Sequence, residues 1–316
     1  MVNPQRGKSS RDKHAGRFLV SLAAILVLLF AGATRARNRL WSDDLALWQG
    51  VAAKSPGKVR PHYGLARAYH TRGRLDEAIR EYQAALSIDP LYDKALNNLG
   101  SIYGKQDRFD EAIGLFQAVL ARTPDDATAH ANLGSVYVKQ GRFNEAVKEF
   151  RQALSADADS TAAHYGLGNA YQEQGRIEDA VREYQTVIQI DPSHADALIN
   201  LGMLYGSRGW WTEAVRSLQA AIRSRPDAYE AYNNLGIVYA QQRNYDAAID
   251  LFQQALIYSP QNAAIHYNIG IAYQNEGRSD DALREFQTAL RLDPGHEGAR
   301  RGLERLSRGG AGGPGH

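Results

Sequence analysis

The sequence predicts an all-α solenoid: seven helix–turn–helix repeats behind an N-terminal transmembrane helix. Three observations predict it. Prolines return every 34 residues at Pro56, Pro90, Pro124, Pro192, Pro226, Pro260 and Pro294, with Ala158 in the one missing slot. Between them the same residue types recur at fixed offsets. Leu96, Leu99, Gly100, Tyr103, Ala112, Phe116 and Val119 in one unit answer to Tyr232, Leu235, Gly236, Tyr239, Ala248, Phe252 and Ala255 in another. The third observation is an uncharged apolar run from Phe18 to Thr34.

A globular chain of 316 residues would divide into about two domains, whereas stacked repeats grow in one dimension. With no cysteine, disulfides and thiolate metal sites are excluded. The net charge of +2 conceals an asymmetry: residues 1–60 hold 11 Lys and Arg against 3 Asp and Glu, and residues 61–316 hold 26 against 32. A mildly acidic array argues against nucleic acid as a partner, because a phosphate groove needs clustered cations. The basic end suits a membrane surface.

Residues 1–17 read as a basic cytoplasmic tail carrying Arg6, Lys8, Arg11, Lys13 and Arg17. Residues 18–34 read as a single-pass anchor. A helix of that length spans ~25 Å against a ~30 Å hydrocarbon core, and snorkelling of Arg17 and Arg35 closes the gap. The rival is a signal sequence cleaved near Ala33, since Ala31-Gly32-Ala33 has the small-x-small form of a cleavage site. The basic flanks favour a cytoplasmic N-terminus, and either reading delivers the repeats to the extracytoplasmic (periplasmic) side. Residues 35–58 hold a juxtamembrane half-repeat, because Trp48 lies 34 residues before Tyr82 and Pro56 lies 34 before Pro90. The repeats follow at 59–92, 93–126, 127–160, 161–194, 195–228, 229–262 and 263–296. Residues 297–308 form a capping helix in which Glu304 stands where a packing glycine would be, and 309–316 are a flexible tail.

Small residues mark where the two helices of a unit cross. Gly100, Gly134, Gly168, Gly202, Gly236 and Gly270 lie on the first helix, and Ala78, Ala112, Ala146, Ala180, Ala214, Ala248 and Ala282 are expected to face them from the second. A helical glycine costs ~1 kcal/mol relative to alanine, so its recurrence implies a packing reason. Tyrosines from Tyr69 to Tyr273 fill the space beside the crossing. Gly73, Gly141, Gly175, Gly209 and Gly277 end the first helix in a left-handed conformation. Asp76, Asp110, Glu178, Asp246 and Asp280 open the second, where its dipole favours negative charge.

This pattern resembles the tetratricopeptide repeat over about three quarters of the chain. The resemblance implies a right-handed superhelical solenoid with first helices lining its inner face. The string Arg37-Asn38-x-x-Trp41-x-Asp43-x-x-x-Leu47-Trp48 is similar to the junction in membrane glycosyltransferases that carry such repeats after their last membrane span. That second likeness implies a non-catalytic accessory subunit of a protein O-glycosylation or envelope-polymer machine.

No phosphate-cradling loop, His-Glu-x-x-His, Gly-x-Ser-x-Gly or cysteine nucleophile occurs, so no catalysis, cofactor or metal is expected. His62, His130, His164 and His266 share the fourth position of a unit and read as rings filling a helix-pair gap. His194 and Asp196 meet at a repeat junction without a third ligand. Two residues before the packing glycine stands Asn98, Asn132, Asn200, Asn234 or Asn268, with Gly64 and Gly166 as exceptions. A row of amides offers a donor and an acceptor at each step, as an extended peptide backbone requires. It resembles the asparagine ladder of cytosolic O-linked N-acetylglucosamine transferases, which implies extended peptide segments of other proteins as partners. Tyr63, Tyr165 and Tyr267 recur at 102 residues, the mark of a duplicated three-unit block, and are placed on the groove wall. Arg67 and Lys94 have no basic counterparts at Asp196 and Glu230, which argues against a C-terminal carboxylate ligand. Trp210 sits in a turn usually polar, where contact with a partner or with lipid competes with local packing. The expected function is a membrane-anchored scaffold for protein–protein interaction.

Overall fold

The computed structural model describes residues 44–310, which form sixteen α-helices and, among the described residues, no strand. A lone helix α1 (Asp44–Lys54) precedes seven hairpins. These are α2 and α3 (Val59–Thr71, Leu75–Ile88), α4 and α5 (Asp93–Lys105, Phe109–Leu120), α6 and α7 (Ala127–Lys139, Phe143–Ala156), and α8 and α9 (Thr161–Glu173, Ile177–Ile190). Then come α10 and α11 (Ala195–Ser207, Trp211–Ser224), α12 and α13 (Tyr229–Gln241, Tyr245–Tyr258), and α14 and α15 (Ala263–Asn275, Ser279–Leu292), closed by α16 (Glu297–Gly310). The chain divides into two compact units, Met1–Pro124 and Asp125–His316. Within the second, first helices of successive repeats touch directly: α6 with α8, α10 with α12, α12 with α14.

The expected tail 1–17, anchor 18–34 and the junction residues Arg37 and Trp41 lie outside the described residues, as does the tail beyond Gly310. Among the described residues no helix is long and apolar enough to cross a membrane. Helix α16 continues to Gly310, into the stretch read as tail.

Each first helix ends in the same way. The amide of the sixteenth residue donates to the carbonyl of the eleventh, as in Arg142 to Tyr137 at 2.8 Å, and the amide of the fifteenth donates three residues back, as in Gly141 to Val138 at 2.9 Å. These two bonds satisfy carbonyls the helix leaves unpaired, and they force the fifteenth residue to positive φ. Gly141 has φ 72°; Asp107 (59°) and Arg243 (61°) adopt the same conformation without being glycine.

The turn is fastened by side chains as well. The Arg142 guanidinium lies 4.2 Å from the centre of the Tyr137 ring and bonds Glu145 at 3.0 Å, and Arg74, Arg108, Arg176 and Arg278 repeat the arrangement. The tyrosine hydroxyl is held from the preceding repeat: Gln83 donates to Tyr103 (3.1 Å), Arg151 to Tyr171 (2.9 Å) and Gln185 to Tyr205 (2.8 Å). Gln49 of α1 donates to Tyr69 in the same way, at 3.0 Å. A single tyrosine near the end of the first helix thus ties a hairpin to its neighbour.

The recurrent glycines are where a side chain one turn beyond the alanine enters the crossing, a ring in all but Gly202, which meets Leu218. A Cβ on Gly134 would lie 2.9 Å from the Phe150 ring, and its three nearest atoms all belong to that ring. Gly100 meets Phe116, Gly236 meets Phe252 and Gly270 meets Phe286 in the same way. The alanine one turn earlier on the second helix is fully buried, as Ala146 is, but the ring projects into the gap. Phe150 is seated from both sides, because a Cβ on Gly166 of the next first helix would lie 2.3 Å from it. Phe286 is held likewise between Gly270 and Gly302 of α16, and Trp48 of α1 presses on Gly64. The tyrosines and phenylalanines at this second-helix position, with almost no exposed surface, form the spine of the hairpins, with Leu218 taking their place in one of them.

Candidate functional site

The row of asparagines sits at the sixth position, on the side of each first helix that meets the ring from the preceding repeat. This explains its exceptions: Gly64 and Gly166 stand where Trp48 and Phe150 press closest. All five asparagines are half-buried, and three spend their donor inside the protein. Asn98 donates to the Tyr63 hydroxyl at 3.2 Å. Asn200 reaches the Tyr184 hydroxyl (3.1 Å), Asn169 Oδ1 (3.2 Å) and the Tyr165 hydroxyl (3.5 Å). Asn268 donates to Asn233 Oδ1 at 2.9 Å. In these three cases the fifth residue of the preceding repeat is polar: Tyr63, Tyr165 or Asn233. Asn234 follows Ile199, which offers no acceptor, whereas Asn132 follows the polar Asn97, whose buried Oδ1 has no hydrogen-bond partner among the described residues. Asn132 and Asn234 have no hydrogen-bond partner among the described residues.

Around Asn200 the polar groups form a closed set. The Tyr184 hydroxyl donates to Asn169 Oδ1 at 2.6 Å. Burial pushes the Tyr184 hydroxyl far above its ordinary pKa despite the opposing hydrogen bond from Asn200, so it remains a donor. Burial raises Tyr165 too, with the Asp196 charge adding to it.

Tyr63, Tyr165 and Tyr267 occupy equivalent settings at repeat junctions. Each is half-buried between a second-helix ring and a residue before the next first helix. Tyr63 lies 6.0 Å from Tyr82 and 5.3 Å from Tyr92, Tyr165 lies 5.8 Å from Tyr184 and 5.0 Å from His194, and Tyr267 lies 6.0 Å from Phe286 and 4.8 Å from His296. The hydroxyls of Tyr63 and Tyr165 reach the asparagine row, at Asn98 and Asn200, whereas the hydroxyl end of Tyr267 lies against Gly298 of α16.

The histidines do more than fill space. His62, His130, His164 and His266 bond Glu81, Glu149, Glu183 and Glu285 across the hairpin at 2.7, 2.7, 2.6 and 2.7 Å. The second ring nitrogen of His62 meets the Pro56 carbonyl at 2.9 Å, and that of His164 meets Ala158 at 3.1 Å. Burial disfavours the charged His62, but the hydrogen bonds to Glu81 and Pro56 and the Glu81 charge outweigh it and raise its pKa. The signal lay in the sequence: glutamate stands nineteen residues after each of these histidines, while Leu96, Leu198 and Tyr232 at the same position are followed by Leu115, Ser217 and Leu251. His194 caps α10, accepting from the Ala197 amide at 3.2 Å, and Asp196 is bound to Arg225 at 2.7 Å. Among the described residues no group of three or more His, Asp or Glu is placed to hold a metal.

Two cavities open beside the row. In the second unit one of about 250 Å³ lies between α12, α13 and α14, walled by Ile237, Phe252 and Ile271 and edged by Gln241, Asn268 and Asn275. In the first unit one of about 350 Å³ brings Arg67 and Lys94, read from sequence as isolated cations, together with Arg60 and the rings of Trp48, Tyr63 and Tyr92. Trp210 occupies the turn position that holds arginine in five other repeats, and its ring lies 5.7 Å from Tyr205, where the guanidinium would stack. Local packing therefore accounts for its placement, with 48 % of its surface still exposed.

The same helical-repeat architecture occurs in solved structures. Part of the Cut9–Hcn1 assembly superposes with a TM-score of 0.68 at 20 % identity, covering 95 % of this chain and 60 % of that one. Pseudomonas aeruginosa PilF superposes at 0.61 with 20 % identity over 67 % of this chain and 97 % of the other. YrrB, described as a tetratricopeptide-repeat protein with an unusual peptide-binding site, does so at 0.50 with 22 % identity over 60 % and 97 %. Among curated proteins, Protein O-mannosyl-transferase TMTC1 of Mus musculus and of Homo sapiens are each 33 % identical over 84 residues. That stretch is 27 % of this chain and only 9 % and 10 % of theirs. A tetratricopeptide-repeat model matches residues 239–306, and a second model, the C-terminal domain of cilia and flagella-associated protein 70, matches residues 34–259, well over half of the sequence. The chain is a tetratricopeptide-repeat protein, and it belongs to the family of the cilia and flagella-associated protein 70 C-terminal domain.

Proposed function

We propose that the protein is a membrane-anchored scaffold that holds extended segments of partner proteins along the inner face of its first helices. Residues 18–34 anchor it, with the N-terminus cytoplasmic and the repeats extracytoplasmic. The observation that carries the reading is the pair Asn132 and Asn234, half-buried amides without internal partners on the face that elsewhere satisfies its own. Their amides stay open to water, which a bound peptide backbone would displace while supplying hydrogen bonds in its place. The apolar cavity edged by Asn268 gives such a chain room for one side chain.

The test is photo-crosslinking in native membranes from probes at Gln241 and Asn275, with control probes at Glu111 and Glu213. Crosslinks to partner segments from the first pair alone, lost in Asn132→Ala/Asn234→Ala, are expected. Crosslinks from the control pair alone would refute the groove. Release of the chain by alkaline carbonate washing would refute the anchor separately. The similarity to an O-mannosyl-transferase over 84 residues favours a second reading, an accessory subunit of a glycosylation machine. In that case the crosslinked partner is a glycosyltransferase polypeptide.

A further inference from the structure

The cavity in the first unit is unlike the rest of the inner face. Trp48 from α1, Tyr63 from α2 and Tyr92 before α4 supply its rings, and Arg60, Arg67 and Lys94 supply its charge. All three cations are exposed, and among the described residues none has an ion pair or a side-chain hydrogen bond. The arginines of the hairpin turns, by contrast, are answered, as Arg108 is by Glu111 and Arg278 by Asp281. The one acid on the wall, Asp44, is bound to Arg72 at 2.7 Å and does not neutralise them.

The aromatic wall is fixed. Tyr63 meets Tyr92 edge-on at 5.3 Å, and Trp48 fills the space above Gly64, where a Cβ would lie 2.4 Å from the indole. Unanswered cations beside immobile rings suit an anion with an apolar neighbour. Charge-assisted hydrogen bonds hold the anion, and the rings cover the apolar group without losing rotamer freedom.

We propose that this cavity binds an acidic peptide segment of a partner protein. Its carboxylate side chains meet Arg60, Arg67 and Lys94, and an adjacent apolar side chain covers Trp48 and Tyr92. The proposal rests on the groove reading in taking the ligand to be polypeptide. Tyr63 of the cavity is bonded to Asn98 of the row, so a chain leaving the cavity runs onto the inner face, a continuity an anionic lipid headgroup would not use.

The test uses the full chain and a fluorescent acetyl-Glu-Phe-Glu-Glu-Leu peptide, followed by anisotropy. The glutamine version of the peptide is expected to bind at least about tenfold more weakly, as is the acidic peptide to Arg67→Gln/Lys94→Gln. Binding should weaken further as salt is raised, since exposed charges are screened. Arg216→Gln, an exposed cation that lines neither cavity, should leave this affinity unchanged, and the crosslinks from Gln241 and Asn275 report the groove separately, which distinguishes a failed groove from a failed cavity. Equal affinity for the acidic and glutamine peptides overturns the proposal on the unmodified protein. Binding of phosphatidylglycerol vesicles in preference to the peptide, lost in Arg67→Gln/Lys94→Gln, assigns the cavity to lipid and overturns it too.

Discussion

His62 bridges its hairpin with both ring nitrogens, one to Glu81 and one to the Pro56 carbonyl, and two acceptors on one imidazole call for the protonated form. Because its folded pKa is raised above 6.5, the pair stabilises the fold fully below about pH 6.5 and loses that contribution as pH climbs through the raised value. The stability difference between the protein and His62→Gln, read by urea unfolding, should therefore shrink between about pH 6 and pH 8. A difference that stays constant across that window would show that the ring acts only as filler. At this scale the sequence was readable but incompletely read. Histidine at the fourth position reads as a packing residue, while its pairing with the glutamate nineteen residues on is hidden from local spacing because the two lie on different helices. The partners of Asn98, Asn200 and Asn268 were less accessible still, since each depends on the fifth residue of another repeat.

Within and between hairpins the decisive element is a ring seated among glycines. Phe150 is fully buried with Gly134 on one side and Gly166 on the other, so it has nowhere to retreat. Gly134→Ala should cost about 1–3 kcal/mol in chemical denaturation, the usual penalty for overpacking, despite alanine's better helix propensity. Gly166→Ala should cost at least as much, its Cβ falling closer to the ring. A stabilising effect at either position would mean that the ring has room to move. The 34-residue period located these glycines and the buried alanines but did not show that the ring one turn on enters the gap. Positions one turn apart on the second helix share a face, and periodicity alone does not tell a small residue beside the gap from a large one entering it. The turns were more legible, because a left-handed residue at the fifteenth position is a local demand that glycine meets in five of the seven repeats.

For the whole chain, stability is a chain of neighbour contacts, so damage at one end should stay near that end. Removing residues 297–310 would strip Gly302 and Gly298 from Phe286 and Tyr267. Uncovering one large aromatic side chain costs about 1.5–3 kcal/mol. Hydrogen exchange should accelerate in α14 and α15, while α6 to α9 keep their protection. Acceleration spread evenly over the second unit would instead reveal a single cooperative body. The all-α repeat architecture could be foreseen from spacing alone, because a hairpin unable to bury its own apolar face makes the same demand seven times. The basic–aromatic cavity could not, because Arg60, Arg67 and Lys94 belong to two repeats and Trp48 to a helix preceding both.

The seat of each spine ring is cut partly from the repeat that follows. Phe150 sinks against Gly166, whereas Tyr184 stops at the amide of Asn200. One codon at that position therefore resets how tightly two adjoining modules mesh, leaving the rest of their sequences untouched. Evolution can in this way regrade the inner surface joint by joint, fitting a new cargo without inventing a new module.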